Sequence, residues 1–234
     1  MATFYGTPAV TSLRPQFATS AEFNELKLGV KVGDLGAGVL DIYLQRATAA
    51  IVEFMGRDFS PGDAIHESLY STNAGNGDVR IGRDGTVSIY PNERFPVNSV
   101  TAIGWVVKSG AGGLWHAPAS ATPQSVAAGN ITVQKDTYGD GYRIKIWEDF
   151  SRLRGPRTTV EFNLVYAGGY GTQVQPDYPG WLTQACLFWA AFLMKKRGDG
   201  ALVLDGSGGA VDQSALGGYM EAAKDLLDWH KKRF

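Results

Sequence analysis

Residues 159–194 read TVEFNLVYAGGYGTQVQPDYPGWLTQACLFWAAFLM, and the fold class turns on this stretch because its period changes partway along. Over residues 159–166, β-branched and aromatic side chains fill the run as a strand requires. After Pro176 the spacing becomes helical: Trp181, Ala185, Phe188 and Phe192 form one stripe, and Leu182, Cys186, Trp189 and Leu193 the adjacent one. A helix this apolar all round is covered on several sides, so it belongs with other helices rather than on a surface.

Strand signals continue upstream. Residues 87–90, 100–107, 131–134 and 142–147 share the same β-branched and aromatic content, so five or six strands are expected between residues 64 and 167. Asp84-Gly85 and Gly139-Asp140-Gly141 offer the positive-φ positions that tight hairpins need. Residues 109–130 collect Gly112, Gly113, Pro118, Pro123 and Gly129 among many Ala and Ser residues, a composition that predicts a long loop.

Helical periodicity also precedes the strands. Val39, Leu40, Tyr43, Leu44, Ala47, Ala50, Ile51, Phe54 and Met55 recur at three- and four-residue steps, predicting a helix over 36–56 that Gly56 closes as a C-cap. Residues 198–218 hold seven glycines and little to bury. Leu216, Tyr219, Met220, Ala223, Leu226, Leu227 and His230 then begin a final amphipathic helix that runs into Lys231-Lys232-Arg233-Phe234. The first 20 residues, rich in Thr, Ser, Ala and Pro, read as an extended arm rather than a packed element. The expected class is α+β: a small α-helical bundle with an inserted antiparallel β-sheet subdomain and extended terminal segments. Its parts are an N-terminal arm (1–33), a helical core (34–63 and 172–234) and a β-rich insert (64–171).

Composition narrows function. The chain has 234 residues, 44% of them hydrophobic, which is enough for a packed core. With 22 Lys and Arg against 23 Asp and Glu, the formal charge is -1, so no global field gathers nucleic acid or anionic lipid, although a local patch is compatible with that total. One cysteine makes neither an internal disulfide nor a thiolate zinc site. The start MATFYGTPAV lacks the basic and apolar regions of a signal peptide, and the most apolar run, 181–194, is shorter than the roughly 20 residues a bilayer needs. Neither secretion by such a signal nor a membrane span is expected.

Catalytic and cofactor signatures are mostly missing. His66, His116 and His230 lie far apart without a second ligand at helical or hairpin spacing, so no metal pair is expected. Cys186 lies among apolar residues, where a raised thiol pKa makes it inert. The run from Asp136 to Gly141 starts like a calcium loop, but Tyr138 and Trp147 occupy positions that need oxygen ligands, so a hairpin turn is expected. The glycine clusters at 33–38 and 206–209 lack a phosphate lysine, and no Gly-x-Ser-x-Gly elbow is present. No cofactor is expected. Glu148-Asp149 and Asp63 with Glu67 are the acid pairs a hydrolase reading would use, with solvated turn acids the simpler account. Trp105, Trp115, Tyr138, Tyr142 and Trp147 are the aromatics on which a carbohydrate- or receptor-binding module would depend, although strand aromatics usually belong to the core.

Three segments in order carry a resemblance. Residues 47–59, ATAAIVEFMGRDF, give a helix closing on glycine and then arginine. Residues 95–103, FPVNSVTAI, give a proline-valine step into a strand. Residues 160–171, VEFNLVYAGGYG, lead through Pro176 into the apolar helix ending near Arg197. Their order and spacing resemble the head-tail connector (adaptor) proteins of tailed bacteriophages. The loop 109–130 and the tail after Gly198 are longer than that pattern needs.

The resemblance implies a non-enzymatic virion subunit made in the host cytoplasm. It would form a homo-oligomeric ring, dodecameric in relatives, that links the portal protein to the tail or neck and lets genomic DNA pass through its bore. It also makes Trp229, His230, Lys231, Lys232, Arg233 and Phe234 the candidate portal-docking residues. Rings close through heterologous contacts, so each subunit presents two different surfaces. The expectation is that the apolar sides of 181–194 and 216–230 exceed what one copy can cover.

Overall fold

The computed structural model describes residues 16–25, 30–31, 38–71, 78–109, 124–136, 140–153, 158–197, 201–202 and 214–231. In chain order its elements are α1 (Ser20–Glu25), β1 (Val30–Lys31), α2 (Val39–Met55), β2 (Gly62–Tyr70), β3 (Val79–Ile81), β4 (Val87–Ile89) and β5 (Val97–Ser109). There follow β6 (Gln124–Ser125), β7 (Ile131–Lys135), β8 (Gly141–Ile146), β9 (Thr158–Gly168), α3 (Gly180–Arg197), β10 (Ala201–Leu202) and α4 (Ser214–Lys231). The fold is α+β, with four helices and two four-stranded antiparallel sheets among the described residues. The chain divides into two compact units, Met1–Met55 with Tyr178–Phe234, and Gly56–Asp177.

In the first unit, α2 buries Leu40, Tyr43, Leu44, Ala47, Thr48, Ile51 and Met55, the face its periodicity predicts. It ends where Gly56 takes a φ of 68°, a left-handed conformation that costs a residue without a Cβ little. α3 packs against both α2 and α4. Small residues let the helices approach closely, and Ala185, Cys186, Ala190 and Ala191 are all fully buried along it. The Pro179 carbonyl accepts the first α3 amides, those of Leu182 at 2.9 Å and Thr183 at 3.2 Å.

Three expectations for this unit change. The arm is not wholly extended, because Phe17, Ala18 and Phe23 are buried. The Phe17 amide donates to Thr48 Oγ1 at 3.1 Å, and its ring meets Tyr178 edge-on at 4.9 Å. Apolar aromatic residues in an otherwise Thr/Ser/Ala-rich segment were the overlooked signal; residues 1–15 lie outside the described set. The glycine-rich segment contributes Ala201–Leu202, which pairs antiparallel with Val30–Lys31. The apolar surplus also shrinks. Trp181, Phe188, Phe192 and Leu193 of α3 are half-buried, and Trp229 is the one exposed large hydrophobic among the described residues of α4. α3 is covered largely by its own chain because it lies against two helices at once.

The second unit consists of two sheets, β2-β9-β5-β6 and β3-β4-β8-β7, that share one core. Period-two alternation builds it: Val160, Phe162, Leu164 and Tyr166 of β9 are buried, as are Ile144 and Ile146 of β8. Eight strands lie between residues 62 and 168, where five or six are expected from sequence. β2 was missed because His66, Glu67 and Ser68 dilute its apolar alternation, and β3 because it is three residues long. The predicted loop 109–130 is also interrupted, since Gln124–Ser125 pairs with Gly104 and Trp105; residues 110–123 lie outside the described set.

The Asp84-Gly85 turn forms as predicted, with φ 81° at Gly85 and the Gly82 amide donating to the Thr86 carbonyl at 2.7 Å. Gly141 is a glycine for another reason. It is not among the positive-φ residues; it opens β8 where an added Cβ would overlap the Val97 carbonyl oxygen. Gly139 lies outside the described residues.

A polar network runs into this core. Glu67 is 9% exposed; its Oε1 accepts from the Asn92 amide at 2.8 Å and its Oε2 from the Tyr166 hydroxyl at 3.0 Å. The same hydroxyl accepts from the Arg94 amide at 3.1 Å, while the Arg94 guanidinium pairs with Asp58. Burial pushes the Glu67 carboxyl above its usual range, against the hydrogen bonds that favour its charged form.

Candidate functional site

The predicted docking segment begins on the last turn of α4. Ala223 and Leu227 are buried and Leu226 and His230 half-buried, whereas Lys224, Asp225, Asp228 and Trp229 are exposed. The three- and four-residue spacing of its apolar positions therefore turns one face of α4 inward. The His230 ring stacks on Trp181 at 4.0 Å with 15° between planes, and Trp229 meets His230 edge-on at 4.7 Å. At the opposite end of the pair, Tyr219 packs against Phe188 at 6.0 Å and under the Lys195 ammonium at 4.3 Å. α3 and α4 thus lie antiparallel, with the end of α4 beside the start of α3.

Of the six docking candidates, Trp229 and His230 come together with Trp181, a residue that sequence reasoning assigned only to the helix core. Trp229 remains 56% exposed. Lys231 is the last residue of α4; Lys232, Arg233 and Phe234 lie outside the described residues. A cation at a helix C-terminus is favourable because it meets the negative end of the macrodipole.

The other predicted groups separate. Glu148 accepts from the Ala127 amide and Asn130 Nδ2, both at 3.0 Å, and Asp149 from the Ser151 amide at 2.8 Å, so both serve turns. Asp63 is exposed while Glu67 is buried, and the two do not form an acid pair facing a cleft. Asp136 accepts from the Asp140 amide at 3.0 Å, and the Tyr170 hydroxyl donates to Asp140 at 2.9 Å. Among the described residues no three His, Cys, Asp or Glu side chains gather to hold a metal. His116 lies outside them, and His66 is exposed on β2.

Of the five aromatics, Trp105 packs edge-on against the core residue Phe150 at 5.2 Å, while Trp115 and Tyr138 lie outside the described residues. Tyr142 is half-buried. Trp147 is 53% exposed, with its Nε1 donating to Thr132 Oγ1 at 3.1 Å.

Sequence reasoning did not anticipate an open cleft of about 550 Å³ in the helical unit, lined by Glu22, Glu25, Tyr178, Thr183, Gln184 and Leu187. Its residues come from α1, the turn before α3 and the first turns of α3, so no local motif marks it. Glu22 is already engaged, since it accepts from the Thr19 amide at 2.7 Å and the Thr19 hydroxyl at 2.9 Å in a helix cap.

Compared with known proteins, the chain matches no protein-family model and no curated protein. No described helix is long and apolar enough to cross a membrane.

Proposed function

We propose that this chain is a structural head-tail connector subunit of a tailed bacteriophage. In this reading it is a small helical bundle carrying an inserted antiparallel β subdomain with extended terminal segments. It assembles as a homo-oligomeric ring beneath the portal, joins it to the tail or neck component at the head-tail interface, and lets DNA pass without catalysis. The order of the three resembling segments supports the reading, and one structural observation carries it: Trp229 stands more than half exposed on the last turn of an amphipathic helix that runs into three cations and a phenylalanine. A large aromatic flanked by cations is the residue set that anchors protein interfaces. The stack of His230 on Trp181 braces that turn against α3, so Trp229 is presented from a fixed base.

The test is to mix the full chain with a cognate portal ring and look for added rings by negative-stain microscopy. Deleting residues 229–234 is expected to abolish ring addition while the circular dichroism spectrum is retained. Undiminished binding by the deleted chain would refute the assignment. Glycan binding by the isolated monomer, lost on Trp147→Ala, would instead establish the carbohydrate- or receptor-binding alternative.

A further inference from the structure

The sheet β3-β4-β8-β7 has one face in the core and one face outward, and the outward face has a composition the whole-chain charge conceals. Register defines it. Arg80 lies opposite Ser88, Ser88 opposite Lys145, and Lys145 opposite Thr132, so these four form one cross-strand row. Arg143 lies opposite Gln134 in the next row, two residues from Lys145 and hence on the same face. The alternate residues Val79, Val87, Ile89, Ile144 and Ile146 fill the core.

The three cations on this face are paired with rings rather than carboxylates. The Arg80 guanidinium lies 5.1 Å from the Tyr90 ring centroid, and the Lys145 ammonium 3.8 Å from that of Trp147. Arg143 lies 5.4 Å from the Tyr142 ring, and also reaches the Tyr90 hydroxyl at 3.3 Å and Gln134. Among the described residues none of the three is within ion-pair distance of an acid. Asp84 in the β3–β4 turn is an acid that feels Lys145. Its carboxyl is held below the usual range mainly by hydrogen bonds from Thr86, with Lys145 a smaller contributor.

We infer that this face binds single-stranded nucleic acid, with Arg80, Arg143 and Lys145 on phosphates and Trp147 stacking on a base. Clustered cations with neutral hydroxyl and amide donors beside them (Ser88, Thr132, Gln134) suit phosphate oxygens. Successive outward residues of β8 stand about 6.8 Å apart, so Arg143 and Lys145 can engage separate phosphates of one strand. An acidic peptide would use the cations alone, whereas Trp147, more than half exposed even with Lys145 over its ring, also offers a surface to an unpaired base. Binding of this kind requires neither ring assembly nor a portal.

Fluorescence anisotropy of the full chain against labelled DNA of about 20 nucleotides, single-stranded and duplex, with polyglutamate as competitor, tests it. At about 50 mM salt the single strand is expected to bind more tightly than the duplex, with log Kobs falling against log salt at a slope near -2 for three phosphate contacts. Arg80→Gln/Arg143→Gln/Lys145→Gln is expected to weaken binding at least tenfold and flatten that slope, and Trp147→Ala to remove the preference for the single strand. Lys224→Gln, an exposed cation on α4, should change nothing. Lys145→Glu alone, checked by thermal melting, serves if the triple variant does not fold. No measurable binding, equal loss from Lys224→Gln, a preference for duplex, or polyglutamate competing as well as DNA would each overturn the inference.

Discussion

Replacing Tyr166 by Phe keeps a fully buried ring in place and removes one oxygen, which makes it a direct probe of the polar network. That oxygen donates to Glu67 Oε2 and accepts from the Arg94 amide, so its loss deprives one acceptor and one donor of that bond. Each such group costs about 1–3 kcal/mol when buried; Arg94 is only part-buried and belongs at the low end, so the expected total is about 2–4 kcal/mol. The pH dependence carries the sharper test. Burial raises the Glu67 pKa in the folded state, so this group contributes stability that is fully present below its unfolded pKa and lost as pH rises through the folded value. The Tyr166 hydroxyl opposes that shift by bonding the charged form, and removing it raises the Glu67 pKa further. The penalty of Tyr166→Phe is therefore largest above the Glu67 titration and shrinks as pH falls through it. Urea denaturation at several pH values measures this, with Glu67→Gln as the background in which the pH trend should vanish. A penalty below about 0.5 kcal/mol at pH 8, or one that grows on acidification, would refute the reasoning.

Glycines with the same sign of φ should respond differently to alanine. Gly56 (φ 68°) has open space around the missing Cβ, so Gly56→Ala is expected to cost about 1–2 kcal/mol from conformation alone. Gly169 (φ 89°) would place a Cβ into the Ser60 carbonyl and the Pro61 backbone, so Gly169→Ala should cost more than about 3 kcal/mol or prevent soluble expression. Urea midpoints of the two variants compare them. Cys186 is fully buried, with its thiol pushed up to about 12 by burial, so it should resist a disulfide-exchange reagent at pH 8 and react completely in urea. Trp229→Ala should leave the urea midpoint unchanged, with a stability change within about 0.5 kcal/mol, yet weaken portal addition as the deletion does.

Much of the fold is legible where one periodicity runs long enough to average out exceptions. α2 and α3 lie within two or three residues of the expected limits because their apolar positions recur over four turns or more. β5, β7 and β9 likewise enclose the predicted runs, and β8 is offset from its run by one residue. Misreadings came where a residue's role is set by a distant partner. Glu67 looks like a surface acid until Tyr166 and Asn92, far along the chain, provide its donors. Gly141 reads as a turn residue, but what demands it is the Val97 carbonyl of another strand. The cationic face of the second sheet shows the same limit, because Arg80 and Lys145 become neighbours only through Ser88 between them.

Burial also changes what drives assembly in the proposed ring. An α3 with surplus apolar surface would favour a constitutive oligomer, since obligate interfaces are large and resemble a core cut in half. Instead, five large hydrophobic side chains are exposed among the described residues, Ile42, Tyr70, Trp147, Val174 and Trp229, each on a different segment of the chain. Single exposed apolar residues do not amount to a self-associating face. In the proposed ring, a portal that orders several copies side by side would let each small contact be made at high effective concentration. On that proposal, assembly would take place on the portal rather than before it.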